Sequence, residues 1–281
     1  MVISSERIEA FERELINKEK APATVEKYLR DLRAFVSFVG EREVGKELVL
    51  AYKAYLQQRY TIASANSMLS SLGTFFAFCE RRDLGVKRIR QHRRVFSAKE
   101  RELTRVEYER LLQAALDKGN RRLYLLMQTV CGCGIRVSEL QFITAEAVAR
   151  GYADISCKGN CRRVFLPKEL CKLLSGYLRQ KKIKSGAVFV TRSGKPLDRS
   201  NIWSDMKKLC QAAQVAESKV FPHNLRHLFA RTFYSIHKDI VRLADILGHS
   251  GIDTTRIYTM ESGDVHHKQI NRLGLVRCLP K

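Results

Sequence analysis

The chain has 281 residues, 45% hydrophobic and 28% charged, which suits about two globular domains at ~150 residues each. That composition excludes wholesale disorder, collagen-like repetition and a disulfide-stapled miniprotein. Lysine and arginine outnumber aspartate and glutamate 51 to 29, a net charge of +22, which points to a polyanionic partner, nucleic acid ahead of an anionic membrane surface.

The membrane alternative is weak. The longest apolar stretch, Leu123 to Val130, is about half of the ~18 residues a bilayer span needs. The first ten residues carry Glu6 and Glu9 and lack the apolar segment of a secretory signal. Eight cysteines, mostly in apolar surroundings, fit a reduced cytosolic compartment.

From the N-terminus the pattern is helical. Ile8, Phe11 and Leu15 recur at helix spacing, and Val25, Tyr28, Leu29, Leu32, Phe35 and Val36 form a longer stripe of the i, i+3, i+4, i+7 kind. A third helix is expected over about 45–58. A fourth, opened by Ser64, carries Met68, Leu69, Leu72, Phe75, Phe76 and Phe78. These aromatic stripes read as the core of a small bundle rather than as base-stacking surfaces.

The charge is not spread evenly. Residues 1–80 sum to about zero, residues 81–100 hold eight basic and two acidic side chains, and 101–281 contribute the other +16. The second half of 81–100 lacks helical periodicity and reads as an extended basic linker that tracks a polyanion, with Arg88, Arg90, Arg93 and Arg94 as its contact residues. The expected organisation is a helical domain over 1–86, a linker over 87–102 and a larger domain over 103–281.

Past the linker, Thr104 and Glu107 have capping-box spacing and open a helix. Leu123 to Val130 belongs to a second and Val137 to Val148 to a third. Then the period changes: Tyr152 to Cys157 and Arg163 to Leu166 read as short strands around Lys158-Gly159-Asn160-Cys161, where Gly and Asn supply turn chemistry. A helix over 168–182, a strand over Ala187 to Thr191 and a helix over about 199–213 follow, and the remainder is helical up to Tyr258. The larger domain is therefore mostly α with a small antiparallel sheet.

Metal chemistry finds little support in the spacing. Cys131-Gly-Cys133 and Cys157-x-x-x-Cys161 are not zinc-type pairs, and no phosphate-cradling glycine loop is present. Neither a metal nor another cofactor is expected. Four other pieces carry chemistry in combination: Gly134-Ile-Arg136-Val-Ser-Glu139-Leu at a helix start, Lys158 at the hairpin turn, His223-Asn-Leu-Arg226-His227 after Pro222, and Leu247-Gly-His249 with Tyr258 nine residues on. A phosphodiester under attack gathers negative charge on its non-bridging oxygens. Two forked guanidiniums and a histidine suit that charge. A tyrosine phenol can attack if helped to lose its proton, and a lysine can protonate the departing oxygen.

At these residues the chain resembles the tyrosine recombinase (phage integrase) family, its compact Xer-like members above all, over nearly its whole length. The resemblance rests on Cys-Gly-Ile-Arg136-Val-Ser-Glu-Leu, Lys158-Gly-Asn, His223-Asn-Leu-Arg226-His and Leu-Gly-His249-Ser-Gly-Ile-Asp-Thr-Thr-Arg-Ile-Tyr258-Thr. It implies a SAM-like helical core-binding domain followed by a mostly α catalytic domain of the DNA breaking-rejoining fold. It implies that Tyr258 attacks the scissile phosphate to form a 3′-phosphotyrosyl link and that Arg136 and Arg226 clamp that phosphate. His223 would assist proton transfer at Tyr258, His249 would hydrogen-bond the phosphate, and Lys158 would protonate the leaving oxygen. Glu139, as a buried carboxylate orienting Arg136, and His227 would support them.

The partners so implied are double-stranded recombination sites, bound by a homotetramer on two sites and passing through a Holliday junction, with room for a second recombinase or an accessory factor. The implied location is the cytoplasm, at the nucleoid. The task would be integration or excision of a mobile element, or resolution of dimers. A non-catalytic architectural DNA-binding protein and a type IB topoisomerase-like relaxing enzyme are the alternatives. Two departures from the family pattern stand out: Cys161-Arg162-Arg163, where relatives often carry a lysine before the final arginine, and Ser235-Ile-His237-Lys-Asp, where a glycine-containing turn is more usual. A short helix is also expected in the tail between Val265 and Leu275.

Overall fold

The computed structural model describes residues 1–90, 101–157, 160–191, 193–195, 197–249, 251–258 and 271–273. The chain separates into two compact units, Met1–Arg93 and Arg94–Lys281. Lys158, Arg93, Arg94 and most of the expected tail helix lie outside the described residues.

The N-terminal unit is four helices and a 3₁₀ turn: α1 (Ser5–Asn17), α2 (Pro22–Val39), α3 (Lys46–Arg59), α4 (Ile62–Phe78) and Arg82–Leu84. Local chemistry sets their ends. Proline occupies the first turn of α2, where its missing N–H costs nothing. The hydroxyl of Thr61 accepts from the Ser64 N–H at 3.3 Å, so α4 starts two residues before the expected Ser64, which serves as the capped residue. The aromatic stripes meet inside: Phe11 lies edge-on to Phe75 at 5.2 Å, and Phe35 to Tyr52 at 4.9 Å. After the 3₁₀ turn, Asn66 grips Ile89 by both its backbone groups, at 2.8 and 2.9 Å. Arg88 and Arg90 are exposed on either side of that clamp.

The C-terminal unit begins with α5 (Arg105–Asp117) and α6 (Arg121–Cys133). The Thr104–Glu107 capping box forms in both directions. The helix expected over Val137 to Val148 is instead a 3₁₀ turn, Val137–Phe142, followed by a short α7, Ala145–Arg150. The break has a cause: the Ile143 carbonyl accepts from Val188 at 2.9 Å and the Ala145 N–H donates to Gly186 at 2.9 Å, so these groups are not available to a continuous helix. The same pairing explains a second difference. Among the described residues Ala187 to Thr191 forms no strand, only bridge positions at Ala187, paired with Thr144, and at Val190.

The two-stranded antiparallel sheet pairs β1 (Tyr152–Cys157) with β2 (Asn160–Phe165) in register from Tyr152↔Phe165 to Cys157↔Asn160. β2 thus starts three residues earlier than expected. Helix α8 (Lys168–Lys181) follows. The helix expected over 199–213 is two pieces, α9 (Arg199–Lys207) and α10 (Cys210–Ala213), and then come α11 (Pro222–His237), α12 (Ile240–Leu247), α13 (Ile252–Thr255) and a 3₁₀ turn, Arg256–Tyr258. The buried core of this unit runs from Leu103 to Leu228. A smaller cluster of Ala230, Leu243, Leu247 and Tyr258 joins α11, α12 and the last turn. Among the described residues no helix is long and apolar enough to cross a membrane.

Candidate active site

Two helices end at one place. Gly134 closes α6 and Gly248 closes α12, both in the left-handed region with φ of +63° and +64°, the conformation glycine adopts at least cost. A helix C-terminus presents unpaired carbonyls and partial negative charge, and here arginines take them up. Arg226, 1% exposed, donates through Nη1 to the Gly134 carbonyl at 2.7 Å and through Nη2 to the Leu247 carbonyl at 2.7 Å. Burial, with the neighbouring Arg136 charge, pulls its guanidinium down to about 10.

Arg136 stands just before the 3₁₀ turn at Val137. Its side chain is 40% exposed and donates to Glu139 Oε1 at 2.9 Å, with a longer contact of 3.4 Å to the Gly248 carbonyl. Glu139 is fully buried. Burial alone would push its carboxyl up. Hydrogen bonds from Arg162 and from the Arg136 backbone and side chain outweigh that and hold it below the ordinary carboxylate value. Arg162, on β2, supplies a bidentate fork, Nη1 to Oε1 and Nη2 to Oε2, both 2.9 Å.

The helix α11 brings His223, Arg226, His227 and Ala230 onto one face by their spacing of three and four. The rings of His223 and His227 lie 4.6 Å apart, and His227 meets Tyr258 edge-on at 4.8 Å. His249 stacks over Tyr258 at 6.1 Å and 17°. Its Nε2 is 2.9 Å from Arg226 Nη2 and its Nδ1 is 2.8 Å from the Thr255 hydroxyl. Because a guanidinium only donates, Nε2 accepts, and Nδ1–H is left to donate to Thr255: the ring is neutral and its tautomer is fixed. Burial, reinforced by the surrounding arginines, pulls His249 down to about 4. Burial and His223 do the same to His227, also to about 4, and His223 is lowered as well.

Tyr258 is 5% exposed. Burial raises its phenol, while the charge of Arg226 and a hydrogen bond to it work the other way. Beside this cluster opens a cleft of about 420 Å³ lined by Arg136, Ser138, Phe189, Arg199, Pro222 and His223 among others.

The structure therefore brings together Arg136, Glu139, His223, Arg226, His227, His249 and Tyr258, which the sequence analysis had singled out. Of the two α11 histidines, the ring in contact with Tyr258 is that of His227, and His223 touches His227 in turn. Four participants were not singled out for the site. Thr255 lies six residues from His249, a spacing that carries no helical signal. The two glycines are readable as helix stops, but not as carbonyls that accept from the site's arginines. Arg162 had been noted only as a change of hairpin charge.

Residues 101–263 match the phage integrase family, and residues 8–83 match the phage integrase N-terminal SAM-like domain. The tyrosine recombinase XerA of Thermococcus kodakarensis is 30% identical over 98% of both chains. The tyrosine recombinase XerD of Pseudomonas aeruginosa is 29% identical over 87% of this chain and 88% of its own. In fold, the chain resembles the XerH site-specific recombinase in its pre-cleavage complex with difH substrate (TM-score 0.72, 18% identity, 96% of this chain and 85% of that one). It also resembles a lambda integrase dimer bound to a COC′ core site (TM-score 0.73, 17% identity, 93% and 97%). With more than half its length matched to the family and a tyrosine recombinase aligned nearly end to end, the chain belongs to the phage integrase family of tyrosine recombinases.

Proposed function

We propose that the protein is a site-specific DNA recombinase in which the Tyr258 phenolic oxygen attacks a scissile phosphorus. The observation that carries this reading is the seat of Tyr258: a buried phenol between two neutral histidine rings, beside a buried guanidinium. Attack forms the Tyr–O–P bond and breaks the P–O5′ bond, leaving a 3′-phosphotyrosyl link and a 5′-hydroxyl. His227, whose ring meets Tyr258, and His223 behind it, both with imidazoles lowered by burial, are the acceptors for the phenolic proton. Arg226 and the more exposed Arg136 receive the negative charge that grows on the non-bridging oxygens, which fixed donors stabilise without reorganisation. His249, locked by Thr255, holds Arg226 in place. Lys158 donates the proton that the 5′-oxygen takes as it leaves, a role assigned on its place in the sequence.

The covalent bond keeps the free energy of the broken phosphodiester, so a 5′-hydroxyl can attack it and rejoin the strand without ATP. Exchange between two duplexes then passes through a Holliday junction, the substrate on which a lambda integrase tetramer has been solved. For this chain we take the same assembly, a homotetramer on two double-stranded sites, acting in the cytoplasm at the nucleoid. The helical unit, residues 1–86, and the basic stretch 87–102 would grip the duplex, with the exposed Arg88 and Arg90 on phosphates. Such contacts make affinity fall steeply with salt.

The test is a suicide duplex nicked beside the cleavage position. Wild-type protein should trap a covalent protein–DNA adduct on a denaturing gel, and Tyr258→Phe should trap none. An undiminished adduct with Tyr258→Phe would overturn the assignment.

A further inference from the structure

The proposed reaction leaves one well-placed cation without a task. Arg162 lies on β2, its side chain 14% exposed, with both terminal nitrogens committed to Glu139 at 2.9 Å. Its Nε is buried and makes no hydrogen bond among the described residues. This guanidinium faces the Glu139 carboxylate. It fills a slot that exists because residue 248 has no side chain: a Cβ on Gly248 would come within 2.7 Å of both Cδ and Nη1 of Arg162.

Consider what Glu139 would do without it. A buried carboxylate demands paired donors. Arg226 stands off at 4.0 Å and is occupied by the helix ends. The remaining side chain is Arg136, which now spends one nitrogen on Oε1 and has only a long 3.4 Å contact from the other. Deprived of the Arg162 fork, Glu139 would draw Arg136 into a bidentate pair of its own and turn its donors away from the cleft.

We propose that Arg162 is a positioning residue that saturates the Glu139 carboxylate, so that Arg136 keeps donors for the scissile phosphate. The proposal rests on the phosphate-clamping role given to Arg136 above. In this chain the hairpin strand and the clamp are thus one electrostatic unit, Arg162–Glu139–Arg136, roofed by the glycine that ends α12.

The test compares two suicide duplexes in single-turnover cleavage. One carries an ordinary scissile phosphate. In the other a methyl replaces one non-bridging oxygen, removing the charge that Arg136 would meet. On the phosphate, Arg162→Gln should form adduct about 10- to 100-fold more slowly than wild type, the range expected for a lost charge-assisted hydrogen bond, with binding to the site within about threefold. On the methylphosphonate the two proteins should differ by less than about threefold. Arg162→Lys, which keeps the charge but not the fork, should show the same substrate-dependent deficit in smaller degree, and decides the matter if Arg162→Gln does not fold. Wild-type speed on the phosphate, or equal slowing on both duplexes, overturns the role of Arg162. Absence of any adduct from wild type on the phosphate would instead remove the reading of Tyr258 and Arg136 on which the proposal stands.

Discussion

Among the described residues each unit buries one carboxylate, and the two are handled differently. In the N-terminal unit Asp31 is met by one lysine, Lys27 at 2.7 Å, and one hydroxyl, Ser71 at 2.8 Å, while the solvent-exposed Arg30 stands 3.8 Å off. In the C-terminal unit Glu139 is met by Arg162 and Arg136, with Arg226 4.0 Å away. One acid there faces three guanidiniums. The first arrangement is a staple between α2 and α4. The second carries surplus positive charge in a low-dielectric setting, which is costly for folding alone and is what a receptor for an anion needs before the anion arrives.

The sharpest way to break this contrast is Arg226→Met. It should lower adduct formation by about 10²- to 10³-fold, the usual loss for a fixed oxyanion donor, measured in single turnover with binding followed separately. Acid should come next. His227 and His249 have folded values of about 4, below the ordinary 6.5 of the unfolded chain. They are neutral when folded, and their contribution is complete above pH 6.5 and is lost as pH falls from there toward 4. At pH 5 the two rings together should cost the C-terminal unit about 1–2 kcal/mol after discounting for partial exposure. Residues 1–90 contain no histidine, so peptide-resolved hydrogen exchange should show protection falling in α11 and α12 well before α2 and α4.

Sulfate offers a milder probe. At about ten times its dissociation constant it should stabilise the C-terminal unit by about 1.4 kcal/mol, leave the N-terminal unit unchanged, and lose its effect in Arg226→Met. The smallest effect belongs to the staple. Asp31→Asn should cost the N-terminal unit about 1–2 kcal/mol in denaturant unfolding and leave the cleavage rate of bound DNA as it was.

How much of this could be read in advance differs between the units for a physical reason. Helices α1 to α4 are amphipathic and pack on their neighbours, so periodicity alone finds them. Thr104 and Glu107 announce α5 because a cap is a local interaction. The elements misjudged are those settled by distant backbone partners: Ile143 and Ala145 hydrogen-bond with Val188 and Gly186, and neither stretch contains a sign of the other. The site divides the same way. The motif residues Arg136, His223, Arg226, His249 and Tyr258 were legible through chemistry and family resemblance. Arg162 and Thr255 were not, because each matters through a partner, Glu139 or His249, that only folding brings near.

The placement of Tyr258 has a consequence for order within the chain. It sits on a single 3₁₀ turn after a four-residue helix, a segment too short to hold its own conformation in water. The tyrosine ring, packed with Ala230, Leu243 and Leu247, helps to fasten that segment, together with the buried Thr255 and its bond to His249. The atom proposed to react and one anchor of its own backbone share a side chain, so bonding to a DNA strand would also tether the segment from outside, and the covalent intermediate would be the state in which residues 252–258 have the least room to wander.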